Sequence, residues 1–203
     1  MRLRASVVVG AIVLFAVGVT ASSIAQNTAR LDTSADQVRP PMAQRIIYPA
    51  NRHMTLVLPD GTTRPVLSML NMRHKMQFGD YLWNDSGIAA GPAWVRIDLA
   101  RQTLSVFRAG HEIGSTVILF GADRKPTPSG VFAILEKAET HRSTLYDAEM
   151  PFMLRLTRDG VAIHASNVRK GAATHGCIGI PLPFARLLYQ QMHVGNQVAV
   201  ITS

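Results

Sequence analysis

Residues 94–108 read Trp94-Val95-Arg96-Ile97-Asp98-Leu99-Ala100-Arg101-Gln102-Thr103-Leu104-Ser105-Val106-Phe107-Arg108. Apolar and polar residues alternate on both sides of Ala100-Arg101, which is the pattern of two strands joined by a turn. Further short strands, separated by Gly and Pro turns, are expected at 112–120, 131–135, 152–156, 161–163 and 197–201. This spacing predicts a mainly β fold with a few helices, arranged as a sandwich or barrel.

One helix and one additional hairpin extend this pattern. Residues 183–192 begin with Pro183 and carry Leu and Tyr at helical spacing, which predicts a helix. Upstream, residues 55–58 and 65–67 flank Pro59-Asp60-Gly61, which predicts a hairpin. A short helix competes with other structures at 67–76. We therefore expect a linker and small accessory segment at 26–92, before a main domain at 93–203.

The first 25 residues resemble an export signal. Arg2 and Arg4 precede an uncharged stretch, residues 5–25, which ends with the small residues Ser23 and Ala25. This is the pattern of a signal peptide. The alternative is an uncleaved membrane anchor, because about 20 apolar residues span a bilayer. Either alternative predicts an exported protein in the periplasm or cell envelope.

The sequence is basic, with a formal net charge of +8, of which Arg2 and Arg4 contribute two. A basic surface suits anionic polymers of the cell wall or lipid headgroups, although it can also be a solvated face without a partner. The sequence has no run of Lys and Arg and no interleaving of aromatic with basic residues. These absences argue against a nucleic-acid partner.

Cys177 is the only cysteine, so it forms no disulfide within the chain. A lone cysteine is often a small buried apolar residue, but here Thr174-His175-Gly176 precedes it and His164 lies upstream. A histidine can accept the proton of a thiol, and backbone amides beside Gly176 can stabilise an oxyanion. A zinc site built from His164, His175 and Cys177 with His141 or His193 is the alternative. No Cys/His spacing repeats, so we predict no metal and no cofactor.

The run Thr174-His175-Gly176-Cys177-Ile178, with His164 upstream, resembles the signature of YkuD-type L,D-transpeptidases. The hairpin at 97–107, the turn at 126–130 and Met150-Pro151-Phe152 are similar to the same family in the same order. The resemblance covers about residues 94–201. It implies the β-rich fold of the L,D-transpeptidase catalytic domain.

The resemblance also implies roles for individual residues. Cys177 would be the nucleophile, and His164 the general base, oriented by a backbone carbonyl, here that of Ala165. The other implied site residues are His175 and Gly176 at the oxyanion pocket, and Tyr146, Met150, Phe152, Thr174 and Gly179 near the substrate. Gly179 departs from the family pattern, which commonly has Arg or Asn there.

The activity that the resemblance implies is L,D-transpeptidation of peptidoglycan stem peptides through a Cys177 thioester. Such a reaction would crosslink the wall or exchange lipoproteins or D-amino acids, with effects on wall organisation and cell shape. Two alternatives stay open. One is an L,D-carboxypeptidase or endopeptidase that uses the same site, and the other is a non-catalytic wall-binding module.

Overall fold

The hairpin predicted at residues 94–108 lies in the largest sheet of the computed structural model, which describes residues 45–121, 125–143 and 147–202. In chain order, the secondary-structure elements of the described residues are β1 (Arg45–Ile47), a 3-10 turn (Ala50–Arg52), β2 (Met54–Val57), β3 (Thr63–Val66), β4 (Ser68–Leu70), β5 (Tyr81–Trp83), β6 (Ala93–Asp98), β7 (Thr103–Arg108), β8 (His111–Val117), β9 (Gly130–Ala133), β10 (Glu136–Ala138), β11 (Met153–Arg155), β12 (Ala162–Ala165), β13 (Ile178–Ile180), α1 (Leu182–Gln191) and β14 (Gln197–Ile201).

The largest sheet has eight strands. Seven of them follow the order β1-β4-β8-β7-β6-β14-β9, and β5 pairs with β8 off this path. In the β6–β7 hairpin Val95 faces Val106 and Ile97 faces Leu104, as the alternation of apolar residues predicts. Strand β14 runs parallel to β6, so it extends the sheet on the side of β6 opposite β7.

A smaller sheet has the order β10-β11-β12-β13. Its strands β12 and β13 run parallel, and His164 is directly opposite Gly179. The pairing of Ile163 with Ile178 places two fully buried side chains side by side. Cys177 directly precedes β13. Because β13 pairs in register with β12, Cys177 lies beside the strand that carries His164.

One apolar core joins both sheets to the helix. It contains Val95 and Leu104 from the large sheet, Ile163 and Ile178 from the small sheet, and Phe184 from α1. Burying one such side chain stabilises the fold by about 1.5–3 kcal/mol. This layered arrangement confirms the predicted mainly β fold, and α1 lies where residues 183–192 predicted a helix.

Residues 45–83 contribute strands to the same large sheet, through β1, β4 and β5. The predicted hairpin forms as β2 and β3. The short helix expected within residues 67–76 is wrong, since β4 occupies 68–70 and pairs with β1 and β8. Ser68 and Leu70 are both buried, which is the period of a strand.

The predicted signal segment, residues 1–25, and residues 26–44 of the predicted linker and accessory segment lie outside the described residues. Within the part of the chain that the structure describes, no helix combines the length and apolar character needed to cross a membrane.

Candidate active site

A cavity of about 260 Å³ lies at the start of β13. The predicted site residues that line it are Met150, His164, Thr174, His175 and Cys177. Cys177 is half-buried, whereas His164 on β12 is 9% exposed and His175 is exposed at the rim. The fold thus brings the predicted nucleophile and the predicted base to one cavity.

The imidazole of His164 is held from its Nδ1 side. Nδ1 lies 2.8 Å from the carbonyl oxygen of Ala165, which is the contact that the family resemblance implied. A carbonyl only accepts hydrogen bonds, so the proton of the neutral ring is on Nδ1 and Nε2 keeps its lone pair. His164 is therefore in the tautomer that can accept a proton at Nε2.

Ala165 acts on the site through its carbonyl. Its own N–H donates to the carbonyl of Pro151 at 2.9 Å, which fixes the peptide plane next to His164. Because this amide already has an acceptor, it is not a donor for an oxyanion. The site-shaping role expected for Ala165 is thus the orientation of His164.

The turn before Cys177 is closed by its own threonine. The Thr174 hydroxyl donates to the carbonyl of Cys177, and the Thr174 amide donates to the carbonyl of Phe120 at 3.1 Å. Gly176 has a φ of 101°, a left-handed conformation that favours glycine. Thr174 lines the cavity, and these two hydrogen bonds hold the turn that presents the thiol.

Thr127 ties this turn to the segment between β8 and β9, a role that was not predicted from the sequence. Its hydroxyl donates to the carbonyl of Gly176 at 2.9 Å and accepts from the amide of Gly121 at 2.9 Å. Thr127 is 5% exposed, so water does not replace either bond. The only signal was the turn at 126–130, which resembled the family without pointing to a contact.

The close approach of two glycines permits this arrangement. A Cβ on Gly121 would lie 2.7 Å from both the Cα and the amide nitrogen of Gly176, and 2.2 Å from the carbonyl oxygen of Lys125. Any larger residue at position 121 would displace the backbone just before the thiol.

The surroundings of both reactive side chains favour their neutral forms. Burial raises the pKa of the Cys177 thiol, although the Ala162 amide and the Lys125 charge oppose that shift, while Asp159 adds to it. The thiol lies 3.7 Å from the carbonyl of Gly160, to which it donates.

Burial also shifts the pKa of His164. It lowers the pKa of the imidazole, against the effect of the Ala165 carbonyl, and the nearby His141 lowers it further. A lowered histidine pKa and a raised thiol pKa favour a neutral pair over a thiolate–imidazolium pair. The arrangement therefore suits general-base catalysis, in which the proton moves as the sulfur attacks.

The apolar side of the cavity is only partly as predicted. Met150 lines the cavity and belongs to an apolar cluster with Met153 and Ala162, against which Cys177 packs. Phe152, in contrast, is not among the lining residues. Its φ is 55°, and its ring lies 5.6 Å from that of Tyr189 on α1. Tyr146 lies outside the described residues.

Gly179 does not line the cavity either. It is buried in β13, and a Cβ there would lie 2.8 Å from both Cβ and Oγ of Ser166 and 3.4 Å from Cβ of Leu119. The absence of the Arg or Asn of the family pattern thus has a physical reason, which is lack of space. We expected a substrate contact at Gly179, and the structure places the Ser166 side chain against it.

A zinc site built from His164, His175 and Cys177 with His141 or His193 was the alternative to a catalytic cysteine. Across residues 45–121, 125–143 and 147–202, no group of three or more His, Cys, Asp or Glu side chains has an arrangement that could hold a metal ion.

Similarity to known proteins covers the domain that holds this cavity. The protein-family model of the L,D-transpeptidase catalytic domain matches residues 92–200 of this chain. A solved L,D-transpeptidase from Stackebrandtia nassauensis is 26% identical with a TM-score of 0.52, over 57% of this chain and 58% of that one. A cysteine-to-serine mutant of the Enterococcus faecium L,D-transpeptidase is 26% identical with a TM-score of 0.50, over 55% of this chain and 50% of that one.

A third structure, the Ldtfm-avibactam carbamoyl enzyme, shares the fold at 18% identity and a TM-score of 0.50, over 75% of this chain and 74% of that one. No curated protein matches the sequence. The chain covers between half and three fifths of the length of the first two structures. The domain match spans more than half of the 203 residues and includes both His164 and Cys177, so the chain belongs to the L,D-transpeptidase catalytic domain family.

Proposed function

We propose that this chain is an exported, cysteine-dependent L,D-transpeptidase that acts on peptidoglycan stem peptides through a thioester on Cys177. One observation carries the proposal. Cys177 and His164 line the same cavity, and the Ala165 carbonyl holds the imidazole in the tautomer whose Nε2 can take a proton. Family membership supplies the class of substrate.

The first step is acylation. The donor is a tetrapeptide stem, whose last peptide bond joins the L-centre of a diamino acid to D-alanine. Nε2 of His164 takes the thiol proton as Sγ of Cys177 attacks the carbonyl carbon. The C–N bond then breaks, the proton passes from His164 to the leaving amine, and D-alanine departs. The stem is left as a thioester on Cys177.

The backbone around Cys177 supplies the oxyanion donors. In a planar trans peptide the N–H points away from the preceding carbonyl. Thr127 holds the Gly176 carbonyl, so it also fixes the direction of the Cys177 amide. Losing one oxyanion donor typically costs about 3 kcal/mol of transition-state stabilisation. The hydrogen bond from Thr127 therefore supports catalysis without touching the substrate.

The second step transfers the acyl group. An amine from another stem, from a lipoprotein lysine or from a D-amino acid attacks the thioester, and His164 takes its proton. The new amide forms as the Cys177 thiol is restored. Water in place of the amine would make the enzyme an L,D-carboxypeptidase.

The proposed location is the cell envelope. The basic start, the uncharged stretch of residues 5–25 and the small residues before Gln26 support export, with a signal peptide or a membrane anchor. A net charge of +8 favours encounters with anionic wall polymers.

The test uses purified muropeptides with the wild type, Cys177→Ala and His164→Gln. We expect new crosslinked dimers and released D-alanine from the wild type, and neither product from the two variants. His193→Gln is the matched control, because this histidine is exposed and does not line the cavity. Tripeptides without dimers would indicate the carboxypeptidase. Unchanged muropeptides with all proteins would contradict the proposal and favour a wall-binding module.

A further inference from the structure

Ser166 directly follows β12 and is two residues after His164. Its hydroxyl oxygen lies 3.4 Å from Nδ1 of His164, on the side where the Ala165 carbonyl lies at 2.8 Å. Since the Nδ1 proton is directed to the carbonyl, the serine oxygen is a second and weaker acceptor of the same N–H. The imidazole is thus held by two oxygens from consecutive residues.

The backbone fixes Ser166 in this position. Its amide donates to the carbonyl of Ile180 at 2.8 Å, which continues the pairing of β12 with β13. In that pairing His164 is opposite Gly179 and Ala165 is opposite Ile180. The serine is therefore the next residue along a strand whose register is already set.

Gly179 makes the room that Ser166 occupies. A Cβ at position 179 would lie 2.8 Å from both Cβ and Oγ of Ser166, closer than side-chain carbons are found in proteins. Gly179 is not in the left-handed region, so its backbone does not require glycine. The requirement is steric and comes from Ser166.

We propose that Ser166 is a positioning residue for His164, and that Gly179 is needed because it admits the serine hydroxyl to the Nδ1 side of the ring. The proposal rests on the proposed function, in which His164 accepts the Cys177 proton at Nε2. A second acceptor at Nδ1 favours the tautomer with the proton there. It also limits rotation of the ring and so keeps Nε2 directed to the cavity.

The test measures the tautomer of the His164 imidazole directly and needs no substrate. Two-dimensional ¹⁵N–¹H spectra report the tautomer of each of the seven histidines, and His164→Gln identifies the signal of His164. We expect the neutral Nδ1–H form in the wild type and a larger fraction of the Nε2–H form in Ser166→Ala. A contact at 3.4 Å lies at the weak end of hydrogen bonds, so the expected change in tautomer ratio is about two- to threefold.

A second measurement follows the thiol. Alkylation of Cys177 by iodoacetamide at pH 7 should slow by about two- to threefold in Ser166→Ala, because the base is less often in the right tautomer. The other titratable groups that line the cavity are Lys125, His141, Arg155, Asp159 and His175. None of them is altered by this variant, so the change is assigned to His164.

Asn167→Ala is the matched control, because Asn167 is the next residue in the chain and is exposed. It should leave both measurements unchanged. Gly179→Ala should act like Ser166→Ala, since its methyl group displaces the serine hydroxyl. If Ser166→Ala does not fold, Gly179→Ala tests the same contact between Ser166 and His164.

The results separate this inference from the proposed function. A shifted tautomer ratio in Ser166→Ala, with no transpeptidation by the wild type, would keep the inference and reject the proposed function. An unchanged tautomer ratio in a folded Ser166→Ala would overturn the inference, whatever the activity. An Nε2–H tautomer in the wild type would overturn it as well.

Discussion

Replacement of Thr127 by valine removes one hydroxyl and keeps the shape of the side chain. That hydroxyl has two buried partners, the amide of Gly121 and the carbonyl of Gly176, each at 2.9 Å. A hydrogen bond contributes about 0.5–1.5 kcal/mol net, and a buried group left without a partner costs about 1–3 kcal/mol. With two such groups, we expect Thr127→Val to lower the free energy of unfolding by about 2–4 kcal/mol.

The same change should slow the chemistry of the protein that remains folded. Without Thr127 the Gly176–Cys177 peptide loses the bond that fixes its plane, and the Cys177 amide loses its direction. Full loss of an oxyanion donor corresponds to about 3 kcal/mol, or about a hundredfold in rate. Partial loss should slow acylation of Cys177 by about tenfold or more.

Two measurements on each protein separate these effects. Urea denaturation gives the change in stability, and intact-protein mass after exposure to a carbapenem gives the rate of acylation. Thr116→Val is the matched control, because Thr116 is fully buried and donates to the Asp80 carbonyl at 2.8 Å, outside the cavity. It should lose stability and keep the acylation rate. Acylation of a destabilised Thr127→Val at the wild-type rate would contradict this role of Thr127.

Two further predictions concern pH. Because burial lowers the pKa of His164, the acid limb of kcat/KM for transpeptidation should have its midpoint below 6.5, and a midpoint above that value would contradict the neutral pair. Burial would raise the pKa of Asp98, but the amide and guanidinium of Arg101 and the charge of Arg96 lower it overall. Its contribution to stability is therefore present above pH 3.8 and is lost as the pH falls through the lower folded value. Asp98→Asn should cost roughly 1–3 kcal/mol near neutral pH and less below about pH 3, as measured by urea denaturation; an equal loss at both pH values would disprove this.

The elements with local signals were predictable from the sequence. The alternation on either side of Ala100-Arg101 predicted β6 and β7, because both strands and their turn lie within the 16 residues from 93 to 108. The strand at 197–201 was also predicted within its observed bounds. Strand β13 was not predicted, since it has three residues and its partner β12 is parallel and lies across a loop.

The candidate site divides in the same way. His164 and Cys177 were found because histidine and cysteine are rare and chemically distinctive. Thr127 and Ser166 were not found, since serine and threonine are common and their role depends on contacts between distant or adjacent backbone segments. Phe152 was expected near the substrate, but its positive φ belongs to a turn that places the ring beside α1.

The proposed mechanism requires that Cys177 carries the acyl group during the reaction. Its most direct test is the intact mass of the wild-type protein, quenched in acid during turnover of a tetrapeptide stem. We expect an adduct equal to the stem without D-alanine, mapped to Cys177 and missing from Cys177→Ala. Release of D-alanine by Cys177→Ala at the wild-type rate, or an adduct on another residue, would contradict it.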